Sequence, residues 1–235
     1  MSRSENDWVS YWDTDHPIYV NARHLDLRYR VLAKEIIEML RVPAARVLDY
    51  GCGEALHADK IAQYCVELYL CEAAPKLRAR LKQRFARVPI IRVISPEELD
   101  RLPIANFDLV IANSVVQYLT REEFAYLLPL WKKRLRLSGR LVIADVIGPN
   151  QSVLKDATAL LSYAAKNGFL LAALFSLVRT AFSPYRSLRA RLGLSQYSQV
   201  EMIQILHAAG LNAERMSRNL GHIQSRMAFR AWRQQ

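Results

Sequence analysis

The sequence predicts an α/β fold: a doubly wound, mostly parallel sheet of seven strands with an antiparallel closing hairpin, an N-terminal helical lid and a helical insert after the fifth strand. Three observations predict it. From Arg46 onward, short β-rich runs alternate with helical patterns, as in βαβ units. Those runs are almost continuously apolar, as expected of strands covered by helices on both faces. Glycines at 51 and 53 stand between the first run and the next helical pattern, where the backbone has to turn tightly.

The elements follow in chain order. Residues 47–50, 67–71, 90–94, 107–112 and 141–145 are the five parallel strands. After the second, Pro75 opens a helix at its first position, with Leu77, Leu81 and Phe85 four apart on one face. The helix before the fifth strand is expected to end near Leu137, with Gly139 as its left-handed cap. Ser198 and Glu201 have the spacing of a capping box for a helix that runs to Gly210. Residues 212–218 and 227–232 read as the closing strands. The expected organisation is one domain over 1–235: a lid and first helix (1–42), a cofactor-binding core (43–147), a helical cap (148–197), and a closing helix and hairpin (198–235).

Composition excludes several classes. With 51% hydrophobic and 23% charged residues, the chain is an ordinary globular one rather than a disordered one. Cys52, Cys65 and Cys71 lack zinc-site spacings and cannot form a closed disulfide set, so no metal is expected and a reducing, cytoplasmic location is. The most apolar run, 169–178, has about half of the ~20 residues a spanning helix needs. Net charge is +11, and residues 121–235 carry all of it, with 17 basic and 6 acidic side chains. Two readings stay open: a face for a phosphate-bearing or membrane-surface partner, or an arginine-rich composition without function. Arg179, Arg186, Arg189 and Arg191 follow the 169–178 run, so the insert is read either as a contact with an anionic membrane or as a buried cap or dimer helix.

The chemistry concentrates in Val47-Leu-Asp-Tyr-Gly51-Cys-Gly53 and in Glu72, which closes the next strand. Glycines there let the backbone approach a ligand, and a carboxylate at the end of the second strand can hydrogen-bond both hydroxyls of a ribose. A dinucleotide is the natural competitor. Its fingerprint needs a small residue where Leu56 stands, and Asp49 would repel a pyrophosphate but pair with an amino group. A nucleoside carrying an amino acid fits better.

With Leu102-Pro103, 107–119 and 137–145 added in the same order, the chain resembles the class I S-adenosylmethionine-dependent methyltransferases, whose fold is Rossmann-like. Among them it is most similar to the small-molecule type, which includes quinone and lipid methyltransferases. The resemblance implies S-adenosyl-L-methionine as cofactor and S-adenosyl-L-homocysteine as product. It places the Gly51–Cys52–Gly53 backbone and Asp49 at the methionine part, Glu72 at the ribose, and Ala73 against the adenine. Glu98 is expected at the adenine amino group, with Glu97 and Ser95 as rivals. Asn113 and Ser114 end the fourth strand beside the methionine, with Gln117 and Tyr118 close by. His222, in the closing loop on the ligand side of the sheet, and Tyr118 are the candidates for catalysis. Tyr11, His16 and Tyr19 are expected in a lid or in its anchoring.

The expected activity is methyl transfer to oxygen or nitrogen of a small or amphiphilic, lipid-like acceptor, by a monomer or homodimer. A nucleic-acid methyltransferase is one alternative. Against it, the Asn/Asp-Pro-Pro-aromatic signature of exocyclic-amine enzymes is replaced by Asn113-Ser-Val-Val116, and no Pro-Cys pair occurs. A non-catalytic regulatory subunit that binds the cofactor is the other.

Overall fold

Alternation along the strands divides the core in two. In β1 (Arg46–Tyr50), Val47 belongs to one buried cluster and Leu48 and Tyr50 to the other. In β4 (Phe107–Asn113), Leu109 and Ile111 face the first cluster while Phe107, Val110 and Ala112 face the second. Both faces are dry, which is why the sequence runs apolar without a period-two break. The computed structural model describes residues 3–14, 19–40, 42, 44–149, 151, 153–181, 191 and 193–234.

The sheet has seven strands in the order β3-β2-β1-β4-β5-β7-β6. β1, β2 (Glu67–Cys71), β3 (Ile91–Ile94), β4 and β5 (Leu135–Val146) pair in parallel. β7 (Met227–Arg233) runs antiparallel to β5 and to β6 (Leu211–Arg215). The chain winds outward from β1 in one direction and then from β4 in the other, so the switch point opens between their carboxyl ends. On one face pack α2 (Ala22–Met39), α3 (Ala58–Ala62) and α4 (Pro75–Arg84). The other carries α5 (Pro96–Asp100), α6 (Arg121–Arg134) and α9 (Gln199–Ala208). α1 (Arg3–Trp12) precedes the sheet. The insert contains α7 (Val153–Lys166) and α8 (Leu170–Ala181). Pro43 and Arg186 and Arg189 lie outside the described residues.

Capping chemistry sets several boundaries. Ser95–Glu98, Thr120–Glu123 and Ser198–Glu201 are reciprocal capping boxes, each closing two amides that the first turn leaves open. α4 has Pro75 at its start and no cap from its own N-cap residue, Ala74. Asp13, at the end of the lid helix, supplies that cap: its Oδ1 accepts from the amides of Lys76 (2.6 Å) and Leu77 (3.4 Å).

One boundary differs from the sequence reading. α6 ends at Arg134, where Leu135 turns extended, and the chain passes directly into β5. Gly139 is therefore a strand residue with ordinary φ, not a helix cap. The pairing of β4 with β5 shifts between Phe107 and Leu109. In that irregularity a Cβ on residue 139 would stand 2.7 Å from the Phe107 carbonyl oxygen. The glycine is there for close approach of backbone.

Candidate active site

The site forms where β1, β2 and β4 end. After Tyr50 the chain turns back under β2: the amides of Gly51 (2.8 Å) and Cys52 (3.3 Å) donate to the Cys71 carbonyl. Gly51 and Gly53 both take left-handed φ, +71° and +59°. A Cβ at either position would collide, with Val115 Cγ2 or with the Tyr29 hydroxyl, at 2.5 Å in each case. That hydroxyl, from α2, donates to Cys52 O (3.3 Å) and accepts from the Glu54 amide (2.8 Å), so α2 braces the turn from outside it.

Glu72 is buried, and its two oxygens are aligned by the amides of Gly53 (3.0 Å) and Ala74 (2.9 Å). Arg78 Nη1 donates to the carbonyls of Glu72 (2.7 Å) and Ala73 (2.8 Å) and fixes the loop. Each Glu72 oxygen keeps acceptor capacity for a further donor. Burial raises its pKa, opposed by the backbone amides of Ala74, Gly53 and Ala73. Burial, then repulsion from Glu72, pushes Asp49 up to about 7. No cation among the described residues stands between these two acids, an arrangement suited to taking one up.

These groups line a cavity of about 160 Å³. Its other wall is aromatic: Trp8 and Trp12 of α1, Tyr19, and Tyr118 of the 3₁₀ turn Val116–Tyr118, with Tyr118 4.6 Å from Trp8 between ring centroids. Arg28, Asn113 and Ser114 close the far end. Asn113 Oδ1 is buried with no hydrogen-bond partner among the described residues. The glycine cradle, the doubly aligned Glu72, Asp49 and this orphan acceptor fit a ligand that carries a ribose at one end and an ammonium group at the other.

Residues 48–143 match the family model of a methyltransferase domain. Those residues form a methyltransferase domain. Among solved structures it is similar to magnesium protoporphyrin IX methyltransferase from Synechocystis, solved with bound S-adenosylhomocysteine: 16% identity, TM-score 0.59, 99% of this chain and 95% of that one. A SAM-dependent methyltransferase from Leishmania major aligns at 12% identity and TM-score 0.60, over 97% and 82%. The mitomycin 7-O-methyltransferase MmcR aligns at 14% and 0.59 over 88% of this chain, which spans only 54% of that enzyme. At such identities the likeness is one of fold. No curated protein matches the chain in sequence.

The fold brings most of the expected residues to one place. Asp49, Gly51, Cys52, Gly53, Glu72, Ala73, Asn113, Ser114, Tyr118 and Tyr19 all line the cavity. Others stand elsewhere. Glu98 is exposed, spends its carboxylate on the Ser95 amide at 2.6 Å and does not line the cavity, whereas Pro96 beside it does. Gln117 is buried behind the wall, accepting from Arg226 Nη1 (3.1 Å). Tyr11 packs edge-on against Trp8 and Trp12, inside the lid rather than on the cavity. His16 lies outside the described residues.

His222 does fall on the ligand side of the sheet, beside Arg28, Asn113 and Asp145. Its ring stacks on Tyr163 at 4.5 Å, and burial, then Arg28, lowers its pKa to about 4. It is neutral at pH 7 and a poor base.

A polar chain behind this wall has no local mark in the sequence. Arg28 Nη2 donates to Ser114 Oγ (3.0 Å), which donates to Asp145 Oδ2 (2.5 Å); Arg226 joins Asp145 (2.9 Å) to Asp156 (2.9 Å). Ser114 and Asp145 hold left-handed φ of +59° and +63°, strain of the kind found where strands end at a functional site. Only the coincidence of two acids and two bases scattered over 28–226 could have signalled it, and nothing local marks them.

Proposed function

We propose that this chain transfers a methyl group from S-adenosylmethionine to an oxygen or nitrogen of a small or amphiphilic acceptor. The observation that carries the reading is the two-ended cavity, with a glycine turn and two carboxylates on one side and an aromatic, arginine-tipped wall on the other. Glu72 takes the ribose hydroxyls, Asp49 the ammonium group, Asn113 Oδ1 a further donor of the amino-acid part, and Ala73, Leu77 and Pro96 border the adenine. When bound, the cofactor supplies an electrophilic methyl group on a sulfonium.

The residues of the chain then position and enclose. Trp8, Trp12, Tyr19 and Tyr118 exclude water from the reaction volume, and holding the acceptor in line is the main source of acceleration for such a displacement. Arg28 fixes the far end of the acceptor, its own orientation set by Ser114 and Asp145. With His222 uncharged and weakly basic, the acceptor atom has to be nucleophilic on its own account, as an amine or an easily ionised hydroxyl is. The small-molecule O-methyltransferase among the structural neighbours is consistent with that class.

Calorimetry with S-adenosylhomocysteine tests the proposal. Wild-type protein should bind, and Glu72→Ala should lose the binding while keeping its far-ultraviolet spectrum. Binding of NAD in preference to S-adenosylhomocysteine would overturn it.

A further inference from the structure

Helix α8 turns an apolar face outward. Phe169 and Ala173 are buried against Val20 and Leu27, and Ser176 is buried as well. On the opposite side Leu171 is 83% and Phe175 70% exposed, and Leu170, Leu174 and Val178 extend the same stripe. Those five positions recur at one, four, five and eight residues from the first, so they form one continuous face over two turns. A stripe of this size on a described helix, with nothing described lying over it, marks a contact surface.

The charge around it selects the contact. Lys166 precedes the stripe and Arg179 follows it, both exposed. Residues 148–197 hold six basic side chains and one acid, Asp156, which is turned inward onto Arg226. Bulky apolar side chains bounded by cations, with no exposed acid, match the interface of an anionic bilayer: side chains enter the acyl boundary and cations meet lipid phosphates. A twofold pair of chains joined through the same stripe would set these cations against their own copies.

The helix also adjoins the cavity. Phe169 stacks on His24 at 5.4 Å, and Arg179 Nη2 donates to the carbonyl of Tyr19, a cavity residue, at 3.5 Å. We propose that α8 docks the protein on anionic membrane, with Leu171 and Phe175 inserted, so that the aromatic end of the cavity takes its acceptor from the lipid phase. The last clause rests on the methyltransferase reading above; the docking does not.

The test is flotation of the full chain with two kinds of vesicle, phosphatidylcholine alone and phosphatidylcholine with about a third of phosphatidylglycerol. Calorimetry with S-adenosylhomocysteine is run on the same samples. Wild-type protein should float with the anionic vesicles only, and Leu171→Asp with Phe175→Asp should weaken this by more than about tenfold, because two apolar side chains leave the lipid. The double variant should bind S-adenosylhomocysteine like wild type, which shows that it is folded. No flotation of wild type at low salt overturns the proposal, as does equal flotation of the variant. So does sedimentation showing a dimer that the double variant converts to monomer. Flotation without S-adenosylhomocysteine binding would instead sink the methyltransferase reading and leave the docking standing.

Discussion

Asp49 shows in one side chain how function is held against stability. Folded, it keeps its proton up to about pH 7, whereas in the unfolded chain it gives the proton up near 3.8. The stability it contributes is thus complete below 3.8 and is lost as the pH rises to about 7, roughly 4 kcal/mol at most. Asp49→Asn should therefore raise the midpoint of thermal unfolding of the ligand-free protein at pH 7. It should also weaken S-adenosylhomocysteine about ten- to a hundredfold, the worth of a charged hydrogen bond. For wild type, calorimetry should show affinity falling by up to about tenfold per pH unit below 7, because only the ionised acid pairs with the ammonium group. Unchanged affinity across that range would contradict the role given to Asp49.

The residues of this corner were legible in the sequence because they are local. Asp49, Gly51 and Gly53 sit within five positions, and Glu72 follows at the end of the next strand. Arg28 and Ser114, by contrast, are 86 residues apart. Tyr29, Trp8 and Arg28 reach the site only through the packing of α1 and α2, and no short pattern records where a helix face will land. Glu98 stands off the cavity because its local role, as the partner of Ser95 in a capping box, occupies its carboxylate.

At the scale of elements, the strands and the Ser198–Glu201 cap were readable, and several ends were less so. β2 appears over the predicted residues, since its apolar run stops at a charged residue on each side. The α6–β5 junction was misread because a glycine after a helical pattern usually caps it, whereas here Gly139 serves the pairing of β5 with β4. Gly139→Ala should cost about 1–3 kcal/mol in urea unfolding, since backbone has to yield to the new methyl group. S-adenosylhomocysteine affinity should stay as it is, because residue 139 lies at the end of β5 away from Asp145. The lid makes a second element-scale prediction. Asp13 ties the end of α1 to the first turn of α4, so Asp13→Ala frees the lid at its hinge. Stopped-flow dissociation of S-adenosylhomocysteine should accelerate several-fold, and an unchanged rate would show that α1 does not gate the cavity.

The whole molecule combines a common scaffold with particular additions. The sheet order places the switch point between β1 and β4, and that alone locates the cavity. Helix α1 supplies Trp8 and Trp12 to its wall, and α8 lies beside it through Arg179 and Tyr19; these segments were visible in the sequence only as an aromatic stretch and an apolar run beside arginines. No helix among the described residues is long and apolar enough to cross a membrane. On the reading proposed above, the glycine turn and Glu72 clasp an adenosyl ligand whose ammonium group meets Asp49. A crystal structure with S-adenosylhomocysteine tests it most directly. Both ribose hydroxyls are expected on the Glu72 carboxylate and the ligand amino group on Asp49, beneath Trp8. Ligand bound elsewhere, with the Glu72 carboxylate touching only the amides of Gly53 and Ala74, would contradict it.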